Sequence, residues 1–597
     1  MRQNSVFWRI DLLATRLTSR LRFAPPRVEV EPRSDGSILL RTPLKLEPYA
    51  RAVGEWLVDW AQKAPDRAFI AERAGDGWRR ITYREALDAV RRIGESLLAR
   101  GLDASKPVVL LSDNSIEHGL LSLGAMHVGI PVAPISVAYS LMSRDHAKLK
   151  AIFELLEPGL VWAAEPEKFA PALAAVGRTS TPIAELLAVQ ASERVDAAFA
   201  RVGPDAVAKI LFTSGSTGMP KGVINTHRMM CSNQQSYAQI WPFLEDRPPV
   251  LCEWLPWNHT FGSNSTFNMV LRNGGTFHID GGKPAPGLIE TTVRNLRDVS
   301  PTMYLNVPRG FDLLLPYLES DAQLRKSLFR DLDMIFYAGA ALPQNLWERI
   351  ENLAIAERGG DLAMLSAWGS TETAPMATCV HFAIERAGVI GLPAPGCEIK
   401  LVPSGGKLEA RVRGPNVTPG YYRRDDLTRA AFDEEGFYRI GDALRFADPA
   451  KPALGLVFDG RVAEDFKLSS GTWVHVGAVR VKLIAAANPV IQDAVLAGHD
   501  RDEVGALVFL NPATTKDLSA EAVRARVAAA LRTMSAEGGS SMVPTRALIM
   551  AQPASIDANE ITDKGYINQR AVLDHRAALV ERLYATPRPA DVVTIEG

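Results

Sequence analysis

Residues 212–222 read FTSGSTGMPKG, a stretch of glycines and hydroxyls closed by one lysine. Glycine reaches positive φ and lets the backbone come close to a ligand, so Gly215, Gly218 and Gly222 can turn N–H groups toward phosphate oxygens. Thr213, Ser214, Ser216 and Thr217 add hydroxyl donors, and Lys221 adds a mobile positive charge. The run AKILF at 208–212 is of buried-strand type. It places the loop at a strand's carboxyl end, where open α/β sheets bind nucleotides. The order is not that of a Walker A loop, since the lysine follows Met219-Pro220 and no GxxxxGK[ST] occurs.

Around this loop, helical and strand signals alternate through most of the chain, which argues α/β layering. A helix is expected over about 83–100: Thr82 and Glu85 form a capping box, Leu87, Val90, Ile93, Leu97 and Leu98 recur at helical spacing, and Gly101 ends it. It lies between the strand-like RRIT at 79–82 and PVVLLSDN at 107–114. After FDGRVA at 458–463 the units become smaller: a strand-like GTWVHVGAVRVKLI at 471–484, then ALVFL at 506–510, then an Ala-rich helix near 520–534.

At 597 residues the chain exceeds what one hydrophobic core supports, so at least two domains are expected. Hydrophobic residues are 47% and charged ones 23%, an ordinary globular balance, and a net charge of -1 supplies no basic field for nucleic acid. Cys231, Cys252, Cys379 and Cys397 are widely separated, without CxxC spacing. This suggests neither a zinc site nor a disulfide framework and fits a reducing, cytoplasmic setting. Residues 119–143 carry no Asp, Glu, Lys or Arg, yet Pro131 and Pro134 make them read as a buried helix followed by a buried strand rather than a stable membrane insertion. The arginines at 2, 9, 16, 20 and 22 mark an amphipathic lead-in helix. The sequence leaves the oligomeric state open, a homodimer included.

With FTSGSTGMPKG, the strings SAWGSTETAP at 366–375, YRIGDALR at 438–445 and DGRVAEDFK at 459–467 resemble the adenylate-forming superfamily of acyl-CoA synthetases, adenylation domains and luciferases. The resemblance covers about 46–570 and implies an α/β chain whose large N-terminal domain of layered sheets and helices (1–458) is joined by a hinge (459–463) to a smaller, mobile α+β lid domain (464–597). It implies ATP, Mg2+ and coenzyme A as reactants or cofactors and a small organic acid as substrate. By the same resemblance, Thr213 to Gly218 wrap the phosphates, Lys221 and Thr371 contact phosphate, and Glu372 holds Mg2+. That ion prefers a carboxylate plus phosphate oxygens to a full protein cage. Gly339, Ala340 and Ala341 in YAGAAL (337–342) line the adenine, with Trp368, Gly369 and Ser370 beside it. Asp442 and Arg461 meet the ribose hydroxyls, a pairing that suits a charged acceptor facing a diol. His259 in WLPWNHTFG (254–262) stands at the acyl-pocket gate, with Tyr304 and Gly339 in the pocket.

Two segments depart from the family pattern. In EITDKGYINQRAVL, 560–573, Tyr566 stands where the family carries its catalytic lysine, so Lys564, two positions earlier, is assigned to bridge the attacking carboxylate and the α-phosphate. Ala463 stands where most members have Asp or Lys at the pivot about which the small domain turns between adenylation and thioester formation. After that rotation KLSSGTWV, 467–474, would bring Lys467 and Gly471 to the pantetheine. Around these departures the strings look most like feruloyl-CoA synthetases, which implies a hydroxycinnamate such as ferulate or 4-coumarate. A medium- or long-chain fatty acyl-CoA ligase and a non-catalytic nucleotide-binding protein are the alternatives. Trp254, Trp257, Phe261, Tyr304, Phe336, Tyr337 and Trp368 fall in or beside the motifs, where flat rings can stack on an aromatic acid and core packing accounts for them equally.

Overall fold

Short apolar strands of the 108–111 VVLL type, buried on both faces, assemble in this computed structural model into sheets covered by amphipathic helices. The structure describes residues 21–214, 219–285, 287–360, 362–537, 539, 541–562, 565 and 567–595. Val108–Leu111 runs parallel to Val132–Ile135 and Leu160–Ala163, and Val132–Ile135 is followed across the sheet by Val207–Ser214. The last strand, Pro220–Thr226, lies antiparallel to Val207–Ser214. The glycine-rich loop therefore joins two strands of a hairpin and is not a strand-to-helix turn. Its register sets Thr213 opposite Lys221 and Phe212 opposite Gly222.

A second sheet orders Val250–Glu253, Thr276–Ile279, Ala68–Ala74 and Gly77–Thr82. The largest sheet is parallel at one end, through Met303–Asn306, Met334–Tyr337 and Ala363–Gly369, and antiparallel beyond. Its strands Tyr438–Phe446 and Leu456–Arg461 pair so that Asp442 faces Arg461. The helix Tyr83–Ala99 has the expected capping box and buries Val90, Ile93 and Leu97. Residues 119–143 divide as expected into the helix Ile116–His127 and the strand Val132–Ile135, and no helix among the described residues is long and apolar enough to cross a membrane. All four cysteines are buried and unbridged.

The C-terminal part builds its own core on the sheet Ile491–Ala497, Val504–Leu510, Pro544–Ile549 and Val592–Thr594, against the helix Ala520–Glu537. One expectation is corrected here. GTWVHVGAVRVKLI is not a strand: only Trp473–Val474 pairs, and Val476–Ala486 is a helix burying Val476, Val479 and Leu483. Those residues recur at i, i+3 and i+7, so the helical period prevails over the β-branched composition.

Candidate active site

The return strand Pro220–Thr226 carries Lys221, and a segment some 200 residues later locks onto that strand. Tyr422 N–H donates to Gly222 O (2.8 Å) and Ile224 N–H to Gly420 O (3.1 Å). The same segment holds the turn Thr371–Thr373, since Thr418 N–H donates to Glu372 O (2.8 Å) and the Asn416 amide to Thr373 O (2.9 Å). These backbone stitches bring Lys221, Glu372 and Tyr421 to one point. Lys221 Nζ donates to Tyr421 Oη at 2.6 Å and lies 3.5 Å from Glu372 Oε1. Tyr421 Oη in turn donates to Glu372 Oε1 at 3.0 Å and stands 3.3 Å from Tyr438 Oη. Burial pushes the Glu372 carboxyl up, but the Lys221 charge, its own backbone N–H, the nearby Ser370 hydroxyl and the bond from Tyr421 outweigh burial and leave it below the usual carboxylate range.

Asp442 is buried on the neighbouring strand. Its Oδ2 accepts from Trp368 Nε1 at 2.9 Å, while its Oδ1 has no hydrogen-bond partner and lies 3.6 Å from Arg461 Nε. Burial pushes this carboxyl up, with Arg461 and Trp368 opposing and the Glu372 charge adding to it, so the two acids share one site. Thr213 Oγ1 is likewise buried without a partner. A buried polar atom left unsatisfied in a well-formed fold marks a place for a ligand or water. Gly369 cannot be replaced: a Cβ there would lie 1.8 Å from Pro375 O. Ser370 opens the buried turn of Thr371 and Glu372. At the end of Met334–Tyr337, Gly339 has φ +85° and, with Ala340 and Ala341, is exposed.

His259 is half-buried, its Nε2 3.4 Å from the Asn258 amide, just before a π-helix, Phe261–Phe267. Such turns recur at functional sites. Tyr304 is 1% exposed, packs edge-on against Phe311, and its hydroxyl accepts from Asn306, whose Oδ1 also takes the Trp254 indole N–H. Trp257, Phe336 and Tyr337 are core residues too.

Lys467 and Gly471 occupy the small hairpin of Phe466–Lys467 and Trp473–Val474, where Lys467 Nζ sits 5.0 Å over the Trp473 ring. Among the described residues no hydrogen bond or ion pair joins that hairpin to Lys221, Glu372 or Asp442. Gly215, Ser216, Thr217, Gly218 and Lys564 lie outside the described residues, as do Tyr566 and the Ser214 side chain. The flanks of Lys564 are placed: Ile561 and Ile567 bridge, and the chain before them docks on the large part of the protein through Ser143 Oγ to Asp557 Oδ1 (2.7 Å) and Lys148 Nζ to Ile556 O (2.6 Å).

Sequence reading missed Tyr421, Tyr438 and Lys209. Lys209 left a signal, a lysine inside an apolar strand, and Tyr438 opens the string YRIGDALR. Tyr421 left none, because its role arises only when chain ends 200 residues apart are paired.

A family model described as AMP-binding enzyme matches residues 57–422, and one described as AMP-binding enzyme C-terminal domain matches 470–588. The chain belongs to the AMP-binding enzymes. A CoA ligase of Mycobacterium tuberculosis acting on an octahydroindenyl propanoate is 29% identical over 487 residues, covering 76% of this chain and 88% of the relative. A long-chain-fatty-acid–CoA ligase of Thermus thermophilus is 26% identical over 467 residues, covering 70% and 77%. Among solved structures, the adenylation domain of a Mycobacterium chelonae carboxylate reductase superposes with a TM-score of 0.70 at 20% identity, covering 98% of this chain and 97% of that one, a likeness of fold. This AMP-binding enzyme thus has the large N-terminal and smaller C-terminal domains of its family.

Proposed function

We propose that the protein is an ATP- and Mg2+-dependent acid:CoA ligase acting on a hydroxycinnamate such as ferulate or 4-coumarate. The observation that carries the nucleotide part is Asp442: a buried carboxylate oxygen without a hydrogen-bond donor, beside Arg461, is what a ribose diol would satisfy. The acid's carboxylate would attack the α-phosphorus of ATP, forming an acyl-adenylate and releasing pyrophosphate. The CoA thiol would then attack the acyl carbonyl and release AMP.

Two anions meet in the first step, so positive charge and positioning dominate. Lys221, Thr371 and the 213–218 loop would hold the phosphates, and Lys564 would bridge the carboxylate and the α-phosphate. Glu372 fits Mg2+: it is one buried, ionised carboxylate, and no group of three or more His, Cys, Asp or Glu sits together among the described residues. A single protein carboxylate with phosphate oxygens and water suits that ion. When bound, Mg2+ supplies neutralisation of phosphate charge.

Residues 1–458 would form the adenylation domain, 459–463 the hinge and 464–597 the lid, in a cytoplasmic enzyme. The hydroxycinnamate assignment rests on the resemblance of 460–474 and 560–573. A long-chain fatty acid is the second reading, favoured by the Thermus relative. Pyrophosphate release and CoA-dependent AMP formation are to be compared for ferulate, 4-coumarate and octanoate to palmitate. Turnover of the phenylpropanoids at least tenfold above the fatty acids is expected, the reverse order establishes the second reading, and nucleotide binding without pyrophosphate from any acid leaves a non-catalytic binder.

A further inference from the structure

Tyr421 is held by its own backbone, not by chance packing. Gly420 O and Tyr422 N–H are tied to the return strand, and Tyr421 N–H donates to Thr428 Oγ1 at 3.0 Å. Its hydroxyl therefore sits at a fixed point between the phosphate-loop lysine and the turn acid. The charges of Lys221 and Glu372 fix its two bonds to them. An ammonium has no acceptor and an ionised carboxylate no donor, so the hydroxyl accepts from Lys221 and donates to Glu372.

We propose that Tyr421 is a positioning residue that couples uptake of nucleotide to uptake of metal, resting on the reading of Lys221 and Glu372 as the phosphate and Mg2+ residues. The Glu372 side chain is 7% exposed, and Lys221 is its counter-charge. A buried carboxylate does not give up its cation without another to replace it. Lys221 can thus turn to a phosphate only as Mg2+ reaches Glu372, and Mg2+ reaches Glu372 only as Lys221 leaves. By linkage each ligand strengthens the other. The hydroxyl serves both states: it keeps Lys221 from collapsing into a direct, tighter ion pair, and it keeps Glu372 Oε1 oriented after Lys221 has gone.

Tyr421→Phe removes this hydroxyl and keeps the ring over which Lys221 Nζ lies at 4.1 Å. Equilibrium binding is measured by calorimetry, without any acid substrate. The variant should bind Mg2+ with α,β-methylene-ATP about tenfold more weakly, as expected for a charge-assisted hydrogen bond, and bind AMP within about twofold of wild type. A merely structural role would weaken both equally, and that result, or unchanged binding of both, overturns the proposal. A second measurement needs no folded Phe variant. Mg2+ alone should leave the melting temperature of the wild type unchanged and raise that of Lys221→Met, in which Glu372 has lost its counter-charge. Equal stabilisation of both overturns the coupling. If Glu372→Gln and Lys221→Met bind the magnesium nucleotide like wild type, the reading of those two residues falls first. If they are impaired and Tyr421→Phe is not, the proposal alone falls.

Discussion

Lys209 stands in mid-strand at 3% exposure, its Nζ 3.4 Å from Ser263 O and 3.3 Å from Asn264 Oδ1, and no carboxylate pairs with it among the described residues. Burial pulls its amine from 10.5 down to about 7. The unfolded chain therefore holds a proton between those values that the folded chain has released, and stability rises with pH across the window by up to about 1.4 kcal/mol per pH unit. Buried His118 and His227, both lowered to about 3, lose their stability difference below the unfolded histidine value and do not disturb this range. In urea unfolding at pH 7.5 and 9.5, the wild type should gain about 2–3 kcal/mol relative to Lys209→Met. Parallel profiles would mean that the amine keeps its ordinary value. The sequence displays this residue and conceals its state: AKILF reads as a buried strand, and whether its lysine snorkels out or stays inside depends on the π-helix packed over it. The strings around Thr371 and Asp442, by contrast, are contiguous and each forms one turn or strand, so their place in the fold was legible. Tyr421 was not, for its partners come from two other segments.

At the scale of elements, local rules read well where they are complete. Thr82 and Glu85 announced the helix Tyr83–Ala99 because a capping box is built within four residues. The helix Val476–Ala486 was read as strand because its valines favour extended backbone, and the period that decided otherwise is shared with Val479 and Leu483 packing on the C-terminal sheet. The docking of residues 555–561 could not be read at all, since Ser143 and Asp557 lie 414 positions apart. Asp557 accepts from Ser143 Oγ and, at 3.2 Å, from Arg144 N–H, so it latches the segment leading to Lys564 against the large domain. Asp557→Ala loses both bonds, about 1–3 kcal/mol of docking, which corresponds to roughly a five- to hundredfold fall in the docked population. Pyrophosphate release should slow within that range, while thioester formation from supplied acyl-adenylate keeps its rate. An equal loss in both half-reactions would make the contact a general support instead of a latch.

For the whole molecule, the proposed two-step reaction would require the small domain to present different faces to one site. The segment 555–561 is docked on the large domain, whereas among the described residues no hydrogen bond or ion pair joins the Lys467–Gly471 hairpin to Lys221, Glu372 or Asp442. On the proposed reading this posture serves the first half-reaction only. The junction is fixed by Asp465, two residues past Ala463: it pairs with buried Lys407 of the large sheet and also accepts from Val476 N–H at 3.0 Å at the start of the next helix. Ala463 itself offers no charge, so Asp465 supplies the anchoring that a charged pivot would. The separation of labour gives Lys564 a specific signature. In the proposed first step the lysine charge would offset repulsion between two anions, and its loss should lower pyrophosphate release by about 100-fold or more, as for other groups aimed at developing charge. In the proposed second step the CoA thiol would attack a carbonyl already activated by AMP, with the other face of the small domain turned in. Lys564→Ala should then form thioester from supplied acyl-adenylate within about threefold of wild type, since the removed charge has no part in that transition state. Quenched-flow measurement of the two half-reactions on the same preparation decides it: equal losses would make Lys564 structural, and full pyrophosphate release would move the charge to another residue, with Lys467 the next to substitute.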